Sequence, residues 1–185
     1  MKAAAGGRPV VRIQAGKWKG RRLEVPPGAR PTASRARAAL FDLLGERIRG
    51  ARVLDLFAGS GAVGLEAVSR GAALAVLVER EGGPVARTLA RHSISPAEAR
   101  LAAGPAASAL AALARAGERF DVVFADPPYG MDAGADLDRA AGMLAAGGEL
   151  VVQADEAAQV ATPRGLAALS RRAYGRNVFH FFGIL

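Results

Sequence analysis

Cysteine is missing from the 185 residues, and histidine occurs only twice, as His92 and His180. Without cysteine there is no disulfide framework and no thiolate zinc centre. Two histidines far apart in sequence argue against a Ser-His-Asp triad or a histidine metal centre, so no metal is expected. No apolar run is long enough to span a bilayer and no secretory signal opens the chain, so the expectation is a cytoplasmic protein with no membrane partner. Acidic residues are scarce at the front. Residues 1–37 hold ten Lys/Arg and a single acid, Glu24, so this segment carries +9 while the rest carries −1. A positive segment ahead of a near-neutral body reads as an element for a polyanion, against the plainer reading of a solvated face.

The length suits one domain with a small appendage, and a monomer is expected. Residues 1–9 read as a mobile tail. The β-prone runs 10–14 and 21–25 flank Gly16 and Gly20 and predict a basic hairpin, ended by Pro26, Pro27 and Gly28. The division is thus an appendage over residues 1–31 and a domain over 32–185. Thr32 or Ser34 can cap a helix to about Arg47, with Ala36, Leu40, Leu43, Leu44 and Ile48 at helical spacing. From Arg52 strands and helices alternate. Apolar strands are predicted over 52–57, 73–79, 99–103, 120–125 and 148–153. Helices are predicted over 61–69, 84–92, 106–116 and 136–144. That pattern gives an α/β fold with a mostly parallel sheet covered on both faces. Residues 171–185 add an antiparallel hairpin around Gly175.

The first of these strands runs into Asp55-Leu56-Phe57-Ala58-Gly59-Ser60-Gly61-Ala62-Val63-Gly64, a G-x-G-x-x-G spacing between strand and helix. Alone this is a moderate signal for a dinucleotide, or simply a tight helix–strand turn. Asp55 ahead of the glycines would repel a pyrophosphate but suits a cationic ligand. Glu79, at the end of the next strand, suits ribose hydroxyls. Together they fit S-adenosylmethionine, which carries ammonium and sulfonium groups.

Asp126-Pro127-Pro128-Tyr129 directly follows the strand 120–125. In an open α/β sheet, ligands bind beyond the carboxyl ends of the strands, so this tetrapeptide and the glycine loop can share a crevice. The exocyclic amine of a base is a poor nucleophile because its lone pair is delocalised. Two acceptors facing its N–H bonds favour a pyramidal nitrogen. The Asp126 carboxylate is one acceptor and the Pro127 carbonyl the other. Paired prolines fix φ and remove two donors, which makes the turn rigid. Tyr129 offers a stacking face worth about 1–3 kcal/mol. Orientation of amine and donor supplies roughly 7–11 kcal/mol at best, and a base inside a folded strand must be splayed out to reach such a pocket.

These segments resemble the class I S-adenosylmethionine-dependent methyltransferases, Rossmann-like in fold. The D-P-P-Y is similar to that of enzymes methylating amino groups of bases. The run Arg12-Ile13-Gln14-Ala15-Gly16-Lys17-Trp18-Lys19-Gly20-Arg21-Arg22-Leu23 resembles the opening of the bacterial 16S ribosomal RNA guanine-N2 methyltransferases, the RsmD-like family. So do Arg30-Pro31-Thr32 with Arg35, Arg37, Leu40 and Phe41, and the D-L-F-A-G-S-G run. The resemblance implies methylation of a guanine N2 in small-subunit ribosomal RNA, in an assembled or assembling particle, and a seven-stranded sheet with its last strand antiparallel. It implies a cofactor site of Asp55, Phe57, Ala58, Gly59, Gly61, Glu79, Arg80, Ala103 and Gly104, with Glu79 on the ribose. It implies that Asp126, Pro127, Pro128 and Tyr129 hold the base. The RNA-facing set is Arg12, Lys17, Lys19, Arg21, Arg22, Arg30, Thr32, Arg35 and Arg37, with Arg30 and Thr32 near the target nucleotide.

Two positions depart from the family pattern. The family's acid after the third strand of the domain is replaced within Gly104-Pro105-Ala106, and the glutamate after its second arginine is Ala38. Trp18 can stack on RNA or anchor the hairpin, and anchoring is the expectation; both histidines are expected to be structural or surface residues rather than catalytic ones. Arg171, Arg172 and Arg176 either extend the basic surface or are solvated. D-P-P-Y also serves DNA adenine-N6 and cytosine-N4 methylation, although little chain is left for a target-recognition domain. The missing acid gives some weight to a non-catalytic RNA-binding assembly factor.

Overall fold

The computed structural model describes residues 10–27 and 34–184, so the tail over 1–9, Arg30 and Thr32 lie outside the described residues. A seven-stranded sheet runs in the order β5-β4-β3-β6-β7-β9-β8. Here β3 is Arg52–Leu56, β4 Leu74–Glu79, β5 Ala99–Ala103, β6 Phe120–Ala125, β7 Leu144–Asp155, β8 Ala167–Tyr174 and β9 Asn177–Gly183. Strands β3 to β7 are mutually parallel, and β9 pairs antiparallel with both β7 and β8. The chain winds outward from β3 through β4 to β5, then returns to place β6 on the other side of β3. The order therefore reverses between β3 and β6, and the crevice at such a reversal is where open α/β sheets take ligands.

Strand side chains alternate between two faces, and here both faces are buried. Val53, Ala75, Leu77, Val122, Phe124 and Val151 join a core with α1 (Ser34–Leu44), α2 (Ala62–Ser69) and α3 (Gly83–Arg91). Leu54, Leu56, Val76, Val78, Val123 and Val152 face the other way, against α4 (Ala106–Arg115) and α5 (Gly134–Ala141). Two boundaries differ from the sequence reading. Regular α1 stops at Leu44, and its last turn tightens into a 3-10 segment, Gly45–Ile48, a frequent way for a helix to end. Strand β7 starts at Leu144 rather than 148, because a register shift between Phe120 and Val122 absorbs the extra residues against β6.

The basic hairpin is short. β1 (Val11–Arg12) and β2 (Arg22–Leu23) pair antiparallel over two residues each. What fixes it is packing: Val11, Ile13, Trp18 and Leu23 are buried in the same core as α1 and α2. Burying such side chains contributes about 1.5–3 kcal/mol each. Trp18 anchors the hairpin, as expected. Its amide donates to Ser69 Oγ at 2.9 Å, and the Lys17 amide donates to the Ser69 carbonyl at 2.8 Å. Gly16, at φ +80°, makes that approach feasible, since a Cβ there would lie 1.7 Å from the Ser69 carbonyl oxygen.

Candidate active site

The loop after β3 is built from left-handed residues. Phe57 lies at φ +62°, Gly59 at +56° and Gly61 at +73°. A non-glycine residue at positive φ is uncommon and concentrates at functional turns. Its surroundings hold Phe57 there: the Ala58 amide donates to the Val78 carbonyl at 2.9 Å, and the Gly61 amide to the Ala58 carbonyl at 2.7 Å. Gly64 is demanded by packing, because a Cβ would stand 2.3 Å from Leu77 Cδ2. Above Gly59 the space is open: a Cβ there would meet nothing within 4 Å.

Two acids brace this loop. Glu79, half-buried at the end of β4, accepts the Gly59 amide at 2.7 Å on Oε2 and the Glu81 amide at 3.0 Å on Oε1. Each oxygen keeps a second lone pair for a hydroxyl donor. Asp55 is only 1% exposed, and its Oδ2 accepts the Gly64 amide at 2.8 Å. Gly64 lies in the first turn of the helix against which β3 packs, so this oxygen secures the loop's return to α2, and the Asp55 carboxyl sits in the wall beneath the loop rather than open to solvent.

Burial pushes the Asp55 carboxyl up to about 7, with the Gly64 amide opposing and the charges of Asp126 and Glu79 adding to the rise. Its folded value lies above the ordinary 3.8, so the folded chain holds a proton that the unfolded chain releases between about pH 4 and 7. The associated stability is complete below pH 4 and is lost as pH rises through 7. Asp55→Asn is expected to remove this falling component, on the order of a few kcal/mol. Urea denaturation of both proteins from pH 4 to 8 checks it; parallel profiles would show that Asp55 stays charged throughout.

The remaining cofactor candidates sit on the same edge. Arg80 and Ala103 are exposed, Phe57 and Ala58 are half-buried, and the Gly104 amide donates to the Glu79 carbonyl at 3.0 Å. In the segment after β5, Pro105 caps α4, its carbonyl accepting the Ser108 and Ala109 amides at 3.0 and 3.1 Å.

Asp126 continues β6 by one residue. Its amide approaches the Leu56 carbonyl at 3.4 Å, which sets it alongside the start of the glycine loop. On the carboxylate, Oδ2 accepts a hydrogen bond from Gln153 Nε2 at 3.2 Å, and the same Nε2 reaches Asn177 Oδ1 at 3.2 Å. Gln153 is 6% exposed. Neither Gln153 nor Asn177 figures among the sequence candidates. The one signal was a polar residue closing an otherwise apolar strand, since the partner lies on a hairpin far along the chain. Beyond Asp126, Pro127 is half-buried, the Pro128 carbonyl accepts the Met131 amide at 3.0 Å, and Tyr129 is 93% exposed. The turn thus presents the Asp126 carboxylate beside the start of the glycine loop and, three residues further on, an uncovered aromatic ring.

The basic set divides. Lys19, Arg22 and Arg35 are exposed, as is Arg12, which donates to the Gly20 carbonyl at 2.9 Å. Lys17 pairs with Glu98 at 2.6 Å but stays half exposed. Arg21 lies over the Trp18 ring and donates to the His92 carbonyl. His92 is structural, its Nε2 meeting the Arg22 carbonyl at 2.8 Å. Arg37 corrects the sequence reading. It is 1% exposed and bound to Glu66 at 2.7 Å and to the Arg12 carbonyl at 2.6 Å, so it cannot face RNA. Its place on the inner face of α1 directs it to the buried Glu66 of α2.

The family model described as Conserved hypothetical protein 95 matches residues 11–183. The chain is 44% identical over 129 residues to Ribosomal RNA small subunit methyltransferase D of Escherichia coli K12. That match spans 66% of the chain and 62% of the relative's length. Among solved structures, a hypothetical protein of Thermus thermophilus aligns with TM-score 0.79 and 40% identity over 93% of this chain and 98% of that one. The Escherichia coli yhhF protein, provisionally named a methyltransferase, aligns with TM-score 0.76 and 32% identity over 94% and 97%.

Proposed function

The chain belongs to the Conserved hypothetical protein 95 family, the RsmD-like family its motifs resemble, and from that premise we propose that it methylates ribosomal RNA using S-adenosylmethionine. The finer reading is that the acceptor is the exocyclic N2 of a guanine in small-subunit RNA. The observation that carries it is the position of Asp126, tethered by Gln153 one residue beyond β6 and beside the glycine loop.

The loop fits such a cofactor. Open space over Gly59 and the half-buried Glu79 carboxylate suit a ribose, and the acids at this edge favour a ligand of net positive charge. When bound there, S-adenosylmethionine supplies an electrophilic methyl group on sulfur. Glu79 accepts hydrogen bonds from the ribose hydroxyls, and Phe57, Ala58, Gly59 and Gly61 form the floor. Arg80, Ala103 and Gly104 border the adenine end, where Pro105 leaves no carboxylate for the adenine amine.

Across the crevice, Asp126 and the Pro127 carbonyl accept the two N–H bonds of the base amine. They localise the nitrogen lone pair and aim it, so their contribution is orientation rather than strong-base chemistry. Tyr129 stacks on the flipped base. The proton leaves after the nitrogen has become acidic, with Asp126 the nearest named acceptor. Arg12, Lys17, Lys19, Arg21, Arg22 and Arg35 hold the RNA backbone, joined by Arg30 and Thr32 near the target nucleotide.

The test is transfer of labelled methyl groups to naked ribosomal RNA, to small subunits from an unmodified strain, and to DNA. Label in guanosine N2 is the expected result. Label confined to DNA, or RNA binding without transfer, would replace this reading by the DNA-modifying or assembly-factor alternative.

A further inference from the structure

A second basic element lies across the sheet from the N-terminal hairpin. Strand β8 is the outer edge strand, and it exposes Arg171, Arg172 and Tyr174, with Arg176 in the following turn. Among the described residues these three arginines form no ion pair, whereas arginines on α1, α3 and β5 do, as does Arg70 just after α2.

The register fixes where they stand. Ala125 is level with Val152, so Asp126 is level with Gln153; Gln153 pairs with Phe179, and Phe179 with Arg172. The row from Asp126 to Arg172 therefore crosses three strand spacings, about 14 Å. Further up, Asn177 pairs with Tyr174, so the β8–β9 turn rises on the crevice side of that row. It is coupled to the site through the Gln153 amide, which bridges Asp126 and Asn177.

We propose that the β8–β9 hairpin is a second RNA-binding surface, in which Arg171 and Arg172, projecting from opposite faces of the edge strand, and Arg176 at its turn grip the phosphate backbone where it passes over that edge, on the side of the target nucleotide away from the cofactor loop. The inference rests on the ribosomal RNA reading. The geometry favours phosphates over bases because exposed arginines on a strand edge meet a charged backbone without needing a groove. It also assigns these cations a purpose beyond guarding an open sheet edge against pairing, the other common use of charge there.

The experiment is Arg171→Gln with Arg172→Gln and Arg176→Gln in the full chain, measured on monomer isolated by size exclusion. Binding to ribosomal RNA is titrated against salt, methyl transfer is resolved into KM and kcat, and S-adenosylmethionine affinity is measured alone. The expected result is a log–log salt slope shallower by about 2 and an RNA KM raised about tenfold. Cofactor affinity and kcat should stay within about twofold. If the native chain methylates ribosomal RNA and the variant matches its salt slope and KM, the hairpin is only an edge guard and the inference is overturned. If the native chain neither binds nor methylates ribosomal RNA, the functional reading falls and takes this one with it.

Discussion

An Asp126→Ala chain is expected to bind S-adenosylmethionine as the native chain does and to transfer methyl groups about 10²- to 10³-fold more slowly. That is the range seen when one preorganised polar group is deleted at a reacting centre. The loss should appear in kcat, since Asp126 meets the amine as its lone pair is committed, while backbone contacts elsewhere hold the RNA. Gln153 offers a second handle on the same carboxylate. Its Nε2 bonds Asp126 Oδ2 from a position 6% exposed, out of reach of RNA. Gln153→Leu is expected to keep cofactor and RNA affinity while lowering kcat about tenfold, because the carboxylate loses one of the contacts that orient it. Equilibrium dialysis with the cofactor and single-turnover methyl transfer test both variants. Native turnover by the alanine variant would remove Asp126 from the chemistry.

The largest effect on stability is expected at Glu66. This carboxylate is fully buried and receives Arg37 Nε at 2.7 Å, Arg70 Nη2 at 2.8 Å and the Gln14 amide at 3.2 Å. It thereby ties the N-terminal hairpin, α1 and α2 together. Glu66→Ala would leave the Arg37 guanidinium, 1% exposed, with no counter-charge in the interior. Breaking one side of a buried pair costs about 3–5 kcal/mol, a large share of the roughly 5–15 kcal/mol that holds a domain folded. Removing both charges, as Glu66→Met with Arg37→Met, is expected to recover most of it, since apolar replacement of a whole buried pair is often neutral. Denaturant titration measures all three proteins. A Glu66→Ala loss below about 1 kcal/mol would mean that water reaches Arg37 once the acid is gone.

Much of the fold was readable along the chain. The apolar runs around Leu54, Val76 and Val123 have the length and composition of strands buried on both faces, and the intervening helices force a parallel sheet. The glycine loop and D-P-P-Y were legible because each is a contiguous segment whose residue types answer a local demand: close backbone approach in one, a rigid turn in the other. Arg37 was misread because a run of cations gives no sign of which one a helix turns inward. The burial of Asp55 was equally unreadable, since a strand residue's exposure depends on what covers its face.

Local order therefore came from the amino acids alone: the alternation of elements, the two chemical segments, and the concentration of positive charge ahead of them. Which distant residues meet was decided only by three-dimensional packing. The Gln153 bridge from Asp126 to Asn177, the burial of Arg37 on Glu66 and the row that brings Arg172 level with Asp126 all depend on strand register and helix rotation. Those are set by the whole core at once, because shifting a strand by one residue exchanges its faces, and no short stretch of sequence records that choice.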